Sequence, residues 1–333
     1  MQTTRHFIFS LVIVILSLVS VDILIGKIGD FLMDRIPNFS GQLAKDNYRL
    51  NRVTDDIIIL GSSRGSHHYV TTMLKDSINN YTGRNYSLYN AAIDGKFINS
   101  NLCAAESIMS RYSPKLLIFE VSESELSGSE AVQDIMFSAV HYHKNPFVKQ
   151  YIQDLGRKEQ IKVASNMFRY NQKFLRIVSS FIQKGEKTGY EPLYKVMTII
   201  PKQGKENLKN VKPIKVDEYS LTNFTRVMRT ARDKGVQLVV VSSPTFSPIV
   251  NNDYLASLCK DYKIPYLDLY NLELFNNHPE YFQDIGHLND TGAHIYTDLF
   301  FKELKPYLLN LENVVTSNLK YTCSGVEHHV HDQ

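Results

Sequence analysis

The sequence predicts an α/β fold: a five-stranded parallel sheet with helices on both sides, a helical insertion, and an N-terminal transmembrane helix. Three observations carry this. Five short apolar runs alternate with helical patterns. A stretch at about residues 127–215 interrupts that alternation. One apolar segment near the N-terminus is long enough to cross a membrane.

That segment comes first. Phe7 to Gly26 reads FIFSLVIVILSLVSVDILIG, with Asp22 as its one charge, close to its far end. A helix needs about 20 apolar residues to cross the hydrocarbon layer. A charge near the interface is tolerable, whereas one at the midplane costs about 2.5–3.5 kcal/mol on insertion scales. The run is long for a cleaved signal peptide, and no small-x-small cleavage site follows it. An uncleaved anchor over residues 1–27 is therefore expected, with a cleaved signal or a buried helix as alternatives. Arg5 flanks one side; Lys27 and Arg35, with Asp30 and Asp34, flank the other, so the positive-inside rule is nearly balanced. Very short N-terminal flanks normally stay cytoplasmic, which would put the bulk of the chain outside. Residues 28–54 read as a polar-amphipathic juxtamembrane stretch.

The strands follow. Ile57–Leu60, Tyr86–Asn90, Leu116–Val121, Leu238–Val241 and Tyr266–Leu269 are short continuous apolar runs. Runs of this length, rich in β-branched residues, suit strands covered on both faces. Helical patterns at 101–112, 221–234 and 291–308 lie between or after them, which argues a parallel sheet with right-handed crossovers. An α/β domain over 55–310 and a polar tail over 311–333 are expected. In such sheets ligands sit at the carboxyl ends of the strands.

In the insertion, Met167, Phe168, Phe174, Leu175, Val178, Phe181 and Ile182 recur at helical spacing. From Lys144 to Lys215 there are 16 Lys+Arg against 5 Asp+Glu. Such a charge run is a solvated helical face, or a surface that meets anionic headgroups or an anionic polymer.

The whole chain of 333 residues carries a formal net charge of only +3, which gives no general case for nucleic-acid binding. Cys103, Cys259 and Cys323 are too few and too scattered for a disulfide scaffold or a Cys-rich zinc site. A mean hydropathy of −0.22 excludes a polytopic membrane protein but allows one span. No Gly-rich phosphate loop, Walker motif or zinc motif is present, and neither metal nor organic cofactor is called for.

Two pieces carry chemistry. After the first strand stands Leu60-Gly61-Ser62-Ser63-Arg64. A Ser behind a Gly at a strand end, opening a helix, is a good nucleophile position, because the helix N-terminus offers unpaired N–H groups to a developing oxyanion. Ser is equally a common helix N-cap. Near the C-terminus, Asp284-Ile285-Gly286-His287 lets one loop present a carboxylate that orients an imidazole. Asp and His three apart also occur often by chance.

Taken together, with Ser63 early and Asp-x-x-His late, the sequence resembles the SGNH, or GDSL-like, hydrolase superfamily. The resemblance covers roughly 57–126 and 235–308, and it implies a flavodoxin-like three-layer sandwich and a serine hydrolase. The family's Gly-Asp-Ser appears as Gly61-Ser62-Ser63, so Ser63 aligns with the nucleophile and Ser62 replaces the Asp. Its second block, Asn-x-Gly-x-x-Gly, appears as Asn90-Ala91-Ala92-Ile93-Asp94-Gly95, making Gly95 the implied backbone oxyanion donor. Its third block falls in Ser122-Glu123-Ser124-Glu125, where Ser124 stands in the place of the Asn donor. Losing one such donor lowers rates by about 10²–10³; a Ser hydroxyl can donate one bond in its stead. The implied site is thus Ser63, Asp284 and His287, with an oxyanion hole from Ser63, Gly95 and Ser124.

The layout also looks like membrane-anchored SGNH-like proteins of bacterial envelopes, some of which work with membrane-bound acyl-transfer partners. The implied substrate is an acyl ester or acylated saccharide. An O-acyltransferase and a non-catalytic envelope scaffold are the alternative functions. Other candidates rank lower. His67, one helical turn after Ser63, lines the pocket or is a partly exposed helix residue. His141 and His143 could reach the site, though nothing in the sequence aims them there. Asp268 competes with Asp284 for the acid role but lacks an adjacent His. His328, His329 and His331, beside Asp332, could bind metal but sit in a polar tail.

Overall fold

Each of the five strands is apolar along its length, and the reason is visible in the sheet. In the computed structural model, β1 (Ile57–Leu60), β2 (Leu88–Asn90), β3 (Leu116–Glu120), β4 (Gln237–Ser242) and β5 (Tyr266–Asp268) pair in the order β2-β1-β3-β4-β5, all parallel. The structure describes residues 2–39, 41–127, 134–136, 139–171, 173–183, 187–199, 215–246, 252–276, 278–309 and 311. The helices used below are α1 (Gln2–Met33), α2 (Gln42–Asn51), α3 (Ser63–His68), α4 (Thr71–Thr82), α5 (Ile98–Arg111), α6 (Pro146–Asp154), α7 (Arg157–Ala164), α8 (Asn166–Tyr170), α9 (Phe174–Ser180), α10 (Glu218–Asp233), α11 (Asp253–Asp261) and α12 (Asp290–Leu308).

Side chains alternate between the faces of a strand, so each strand feeds two cores. Ile58, Leu60, Leu117, Phe119, Leu238 and Val240 pack against α2, α5, α10 and α11. Ile57, Ile59, Leu116, Ile118, Val239 and Val241 pack against α4 and α12, through Leu74, Ile78, Tyr296, Phe300 and Leu304. The result is a three-layer α/β sandwich whose strand order reverses between β1 and β3. That is the topological switch point, where open parallel sheets present their clefts.

The structure differs from the sequence reading in two regions. The amphipathic stretch 28–54 packs its apolar face onto the domain. α1 continues to Met33, and Met33, Ile36, Ala44, Leu50 and Val53 join the core. α2 looks polar, yet Asp46 and Arg49 are buried. Arg49 Nε lies 2.8 Å from Asp46 Oδ1, Lys96 Nζ lies 2.8 Å from Asp46 Oδ2, and Arg49 Nη1 donates to Asn101 Oδ1 at 2.8 Å. Buried charges that satisfy one another defeat a hydropathy reading.

The insertion is helical from α6 to α9 and then changes character. Residues 187–199 run as an extended strap. Its backbone reaches four other places: Thr188 O accepts from Asn90 N at 3.0 Å, Glu191 N donates to Ser66 O at 3.0 Å, Leu193 O accepts from Asp290 N at 2.6 Å, and Met197 N donates to Phe282 O at 2.7 Å. Gly189 is required, with φ of 81° and a Cβ position only 1.9 Å from Asn90 O. With Pro192 beside it, no helix continues.

α1 is the one described helix long and apolar enough to cross a membrane, and its apolar part is exposed. The Ser17 and Ser20 hydroxyls donate to the carbonyls of Ile13 and Leu16, both at 2.8 Å, so neither is left unpaired.

Candidate active site

The nucleophile candidate is positioned by close backbone approach. β1 ends at Leu60, and Gly61 leaves the sheet hard against β3: a Cβ there would sit 2.8 Å from Glu120 Cβ and 3.0 Å from Glu120 O. Ser62 caps α3, and Ser63 is its first residue. α3 lies flush on the loop after β2, because a Cβ at Gly65 would sit 2.6 Å from Ala92 Cβ. Asn90 Nδ2 donates to Gly65 O at 2.8 Å and Ser66 Oγ donates to Ala92 O at 2.9 Å, fastening loop to helix.

The imidazole arrives from the far end of the chain. Phe282 and Leu288 form an isolated antiparallel bridge, and Gln283 N donates to His287 O at 2.9 Å. This closes a tight loop carrying Asp284 and His287. Asn289 caps the following α12 by accepting from Gly292 N at 3.0 Å. Asp284 Oδ1 accepts from Gly286 N at 2.9 Å and His287 N at 3.0 Å, which fixes the carboxylate.

Ser63 and His287, 224 positions apart, meet. His287 Nε2 lies 2.7 Å from Ser63 Oγ, and His287 Nδ1 lies 2.8 and 3.0 Å from the two Asp284 oxygens. An ionised carboxylate only accepts, so Nδ1 carries the proton and Nε2 faces Ser63 with its lone pair. The His287 side chain is 29% exposed and that of Asp284 50%, so the group opens to solvent.

A second set of side chains stands behind this one. His68 Nε2 accepts from Leu288 N at 3.0 Å, and His68 Nδ1 donates to Ser243 Oγ at 2.8 Å. Ser243 Oγ in turn donates to Glu120 Oε1 at 2.8 Å. Glu120 also takes the hydroxyl of Tyr69 and lies 3.7 Å from Arg64 Nε. Arg64 Nη2 is 3.4 Å from Glu125. Burial, then the nearby Arg64 charge, holds His68 well below the usual imidazole range. Burial raises Glu125 to about 7 against the pull of Arg64. Burial opposes the Arg64 charge, but Glu120 and Glu125 outweigh it and keep the guanidinium protonated.

His67 is buried, not a partly exposed helix residue. Its Nδ1 lies 2.5 Å from the strap carbonyl of Glu191 and its Nε2 lies 3.0 Å from Asp94 Oδ2. Both ring nitrogens face acceptors, which favours the imidazolium. Burial works against that charge, but the Asp94 carboxylate outweighs it and raises His67. The His67 ring stands edge-on to His287, centroids 5.8 Å apart.

The remaining candidates have settings of their own. Gly95 is exposed in the turn after Asp94, with φ of 67°. Ser124 Oγ pairs with Ser122 Oγ at 2.8 Å within its own turn, and among the described residues it is not a hydrogen-bond partner of Ser63 or His287. Asp268 accepts from Asn252 Nδ2 at 3.1 Å and Tyr270 N at 3.3 Å, away from His287. His141 is buried beside α1 and α2 near Met33, and His143 lies by α6 and α7. His328, His329, His331 and Asp332 lie outside the described residues. Sequence reasoning missed Arg64, Glu120 and Ser243. Their signal was there: each is polar and sits at or just beyond the carboxyl end of an apolar strand.

No protein-family model matches the sequence, and no curated protein does. The solved structures similar in shape include these two. One, from Bacteroides fragilis, is described as a "putative acylhydrolase"; it is 11% identical, with a TM-score of 0.37, over 82% of this chain and 99% of that one. The other is described as a gut microbial diltiazem-metabolizing enzyme; it is 11% identical, with a TM-score of 0.36, over 74% of this chain. The match spans 46% of that second protein's length. The chemical reading therefore rests on the side chains.

Proposed function

We propose that this chain is a membrane-anchored serine hydrolase of the SGNH type that cleaves acyl esters of the cell envelope. One observation carries the reading: the Ser63 hydroxyl, the His287 imidazole and the Asp284 carboxylate are joined in series at 2.7 and 2.8 Å. His287 Nε2 takes the Ser63 proton as Oγ attacks the ester carbonyl. Asp284 keeps the proton on Nδ1 and stabilises the imidazolium that forms. The negative oxygen of the tetrahedral intermediate meets the Ser63 N–H, which the first turn of α3 leaves without a helical acceptor. Gly95 supplies the second N–H in this reading. His287 then returns its proton to the leaving alcohol, and water releases the acyl group.

The test is covalent labelling with a fluorophosphonate probe, which reports an activated Ser whatever the natural ester. Labelling of the wild type, lost in Ser63→Ala and His287→Ala, is expected. A wild type that resists the probe overturns the enzyme reading.

A further inference from the structure

The end of α1 and the tip of the insertion are built as one unit. α1 is bare from Phe7 to Val21. From there on, Asp22, Gly26, Gly29 and Met33 turn toward the protein, at a spacing that keeps them on one helical face. The two glycines let α8 close in. A Cβ on Gly26 would sit 2.0 Å from Asn166 Oδ1, and one on Gly29 2.5 Å from the Tyr170 ring. Asp22 caps α8: it accepts from Asn166 N at 3.0 Å, Met167 N at 2.8 Å, Ser165 Oγ at 2.7 Å and Asn166 Nδ2 at 2.9 Å. Further along, Asp30 takes the Tyr170 hydroxyl and lies 3.0 Å from Lys144 Nζ.

This lock sets a height. Twenty helical residues, 7–26, cover about 30 Å, the whole hydrocarbon layer with nothing to spare. Asp22 lies about 6 Å before Gly26 along the axis, so it sits just inside the outer edge of that layer. Residues 165–167, which bond it, sit at the same level. The side chains around them suit such a place. Ile161, Met167 and Phe168 are exposed by 65, 48 and 39%. Arg157, Lys158 and Lys162 flank them; Lys162 Nζ lies 2.7 Å from Glu159 Oε2, the one acid between 157 and 176, and the Arg169 guanidinium turns inward, to Val163 O at 2.7 Å and to Asn166 Oδ1. An apolar tip ringed by cations fits the boundary between acyl chains and anionic headgroups.

We propose that the tip of the insertion, residues 157–169, is seated in the outer lipid interface. Met167 and Phe168 enter the upper acyl region and the basic side chains meet anionic headgroups. The domain is then held at a fixed height and tilt above the bilayer instead of turning freely on its anchor. The inference rests on α1 spanning the membrane.

The chain has no tryptophan, so an introduced one is a sole reporter. The full chain carrying Val14→Trp or Phe168→Trp is reconstituted into vesicles of brominated phosphatidylcholine, with or without phosphatidylglycerol, and circular dichroism checks the fold. Val14→Trp reads the anchor and is quenched most by bromines deep in the acyl chains. Phe168→Trp is expected to emit to the blue and to be quenched most by bromines near the headgroups. Phosphatidylglycerol deepens that quenching, and charge reversal at Arg157, Lys158 and Lys162 weakens it. A Phe168→Trp signal that stays water-like while Val14→Trp is quenched overturns the proposal and leaves the anchor intact. An unquenched Val14→Trp overturns the anchor reading, and this inference with it.

Discussion

His68 Nε2 accepts the backbone N–H of Leu288 at 3.0 Å, so the residue after His287 is tied to the last turn of the helix that Ser63 begins. The two halves of the candidate site are thus joined twice: once through Ser63 and His287, and once behind them through His68. The second joint needs a neutral ring, since Nε2 must accept while Nδ1 donates to Ser243. Burial keeps it neutral.

His68 is therefore a positioning residue. His68→Phe keeps the volume and removes the acceptor. Because misplacements of about 1 Å can slow catalysis by about 10²-fold, kcat should fall by roughly that factor while KM changes little. His68→Gln, which keeps an acceptor, should recover part of the loss. Steady-state kinetics of both variants on a soluble ester check this. A purely structural role would move stability and KM together, without rescue.

Asp284→Asn addresses the tautomer. The carboxylate selects the His287 form with its proton on Nδ1, and an amide does not. The loop keeps its other closures, including the Gln283 N to His287 O bond and the Phe282–Leu288 bridge. Turnover should fall by about 10³–10⁴-fold with little change in melting temperature. Fluorophosphonate labelling rates and a thermal melt measure the two effects separately.

The sheet was legible because strands buried on both faces leave uninterrupted apolar runs, and the ends of β1 and β3 fall within one residue of the hydropathy boundaries. Asp284 and His287 stand three apart, so spacing alone suggests their pairing; Ser63 joins them only through the family resemblance, because no local signal links positions 224 apart. The buried polar layer was not legible. Asp46 and Arg49 look like surface residues in isolation, and only their partners, 3 to 52 positions away, make them interior. The strap was hidden for the same reason: its backbone bonds to four distant places, and no local period records them.

The His67–Asp94 pair makes stability depend on pH. Each charge is opposed first by burial and then outweighed by its partner, which raises His67 and lowers Asp94. The His67 contribution is complete below the unfolded value of 6.5 and fades as pH climbs through the raised folded value. The Asp94 contribution is present above the unfolded value of 3.8 and fades as pH falls through the lowered folded value. The stability lost in Asp94→Asn should therefore be largest at about pH 5–6 and shrink at alkaline pH. Melting temperatures of wild type and variant across that range test it, and a difference that grows with pH contradicts the ion pair.

Two glycines separate packing from backbone freedom. At Gly65 a Cβ would fall 2.6 Å from that of Ala92, which is fully buried and cannot yield. Gly65→Ala must push α3 off the loop after β2, and Ser63 moves with it. Overpacking of this kind destabilises by about 1–3 kcal/mol, and activity should fall further than stability alone explains. At Gly83, which ends α4 with φ of 67°, no atom lies within 4 Å of the added carbon. There the substitution meets only left-handed backbone strain of about 1–2 kcal/mol, remote from Ser63. Gly83→Ala should lower the melting temperature and leave turnover of the folded protein unchanged. Equal loss of turnover in both variants would show that the seating of α3 on that loop does not control the Ser63 hydroxyl.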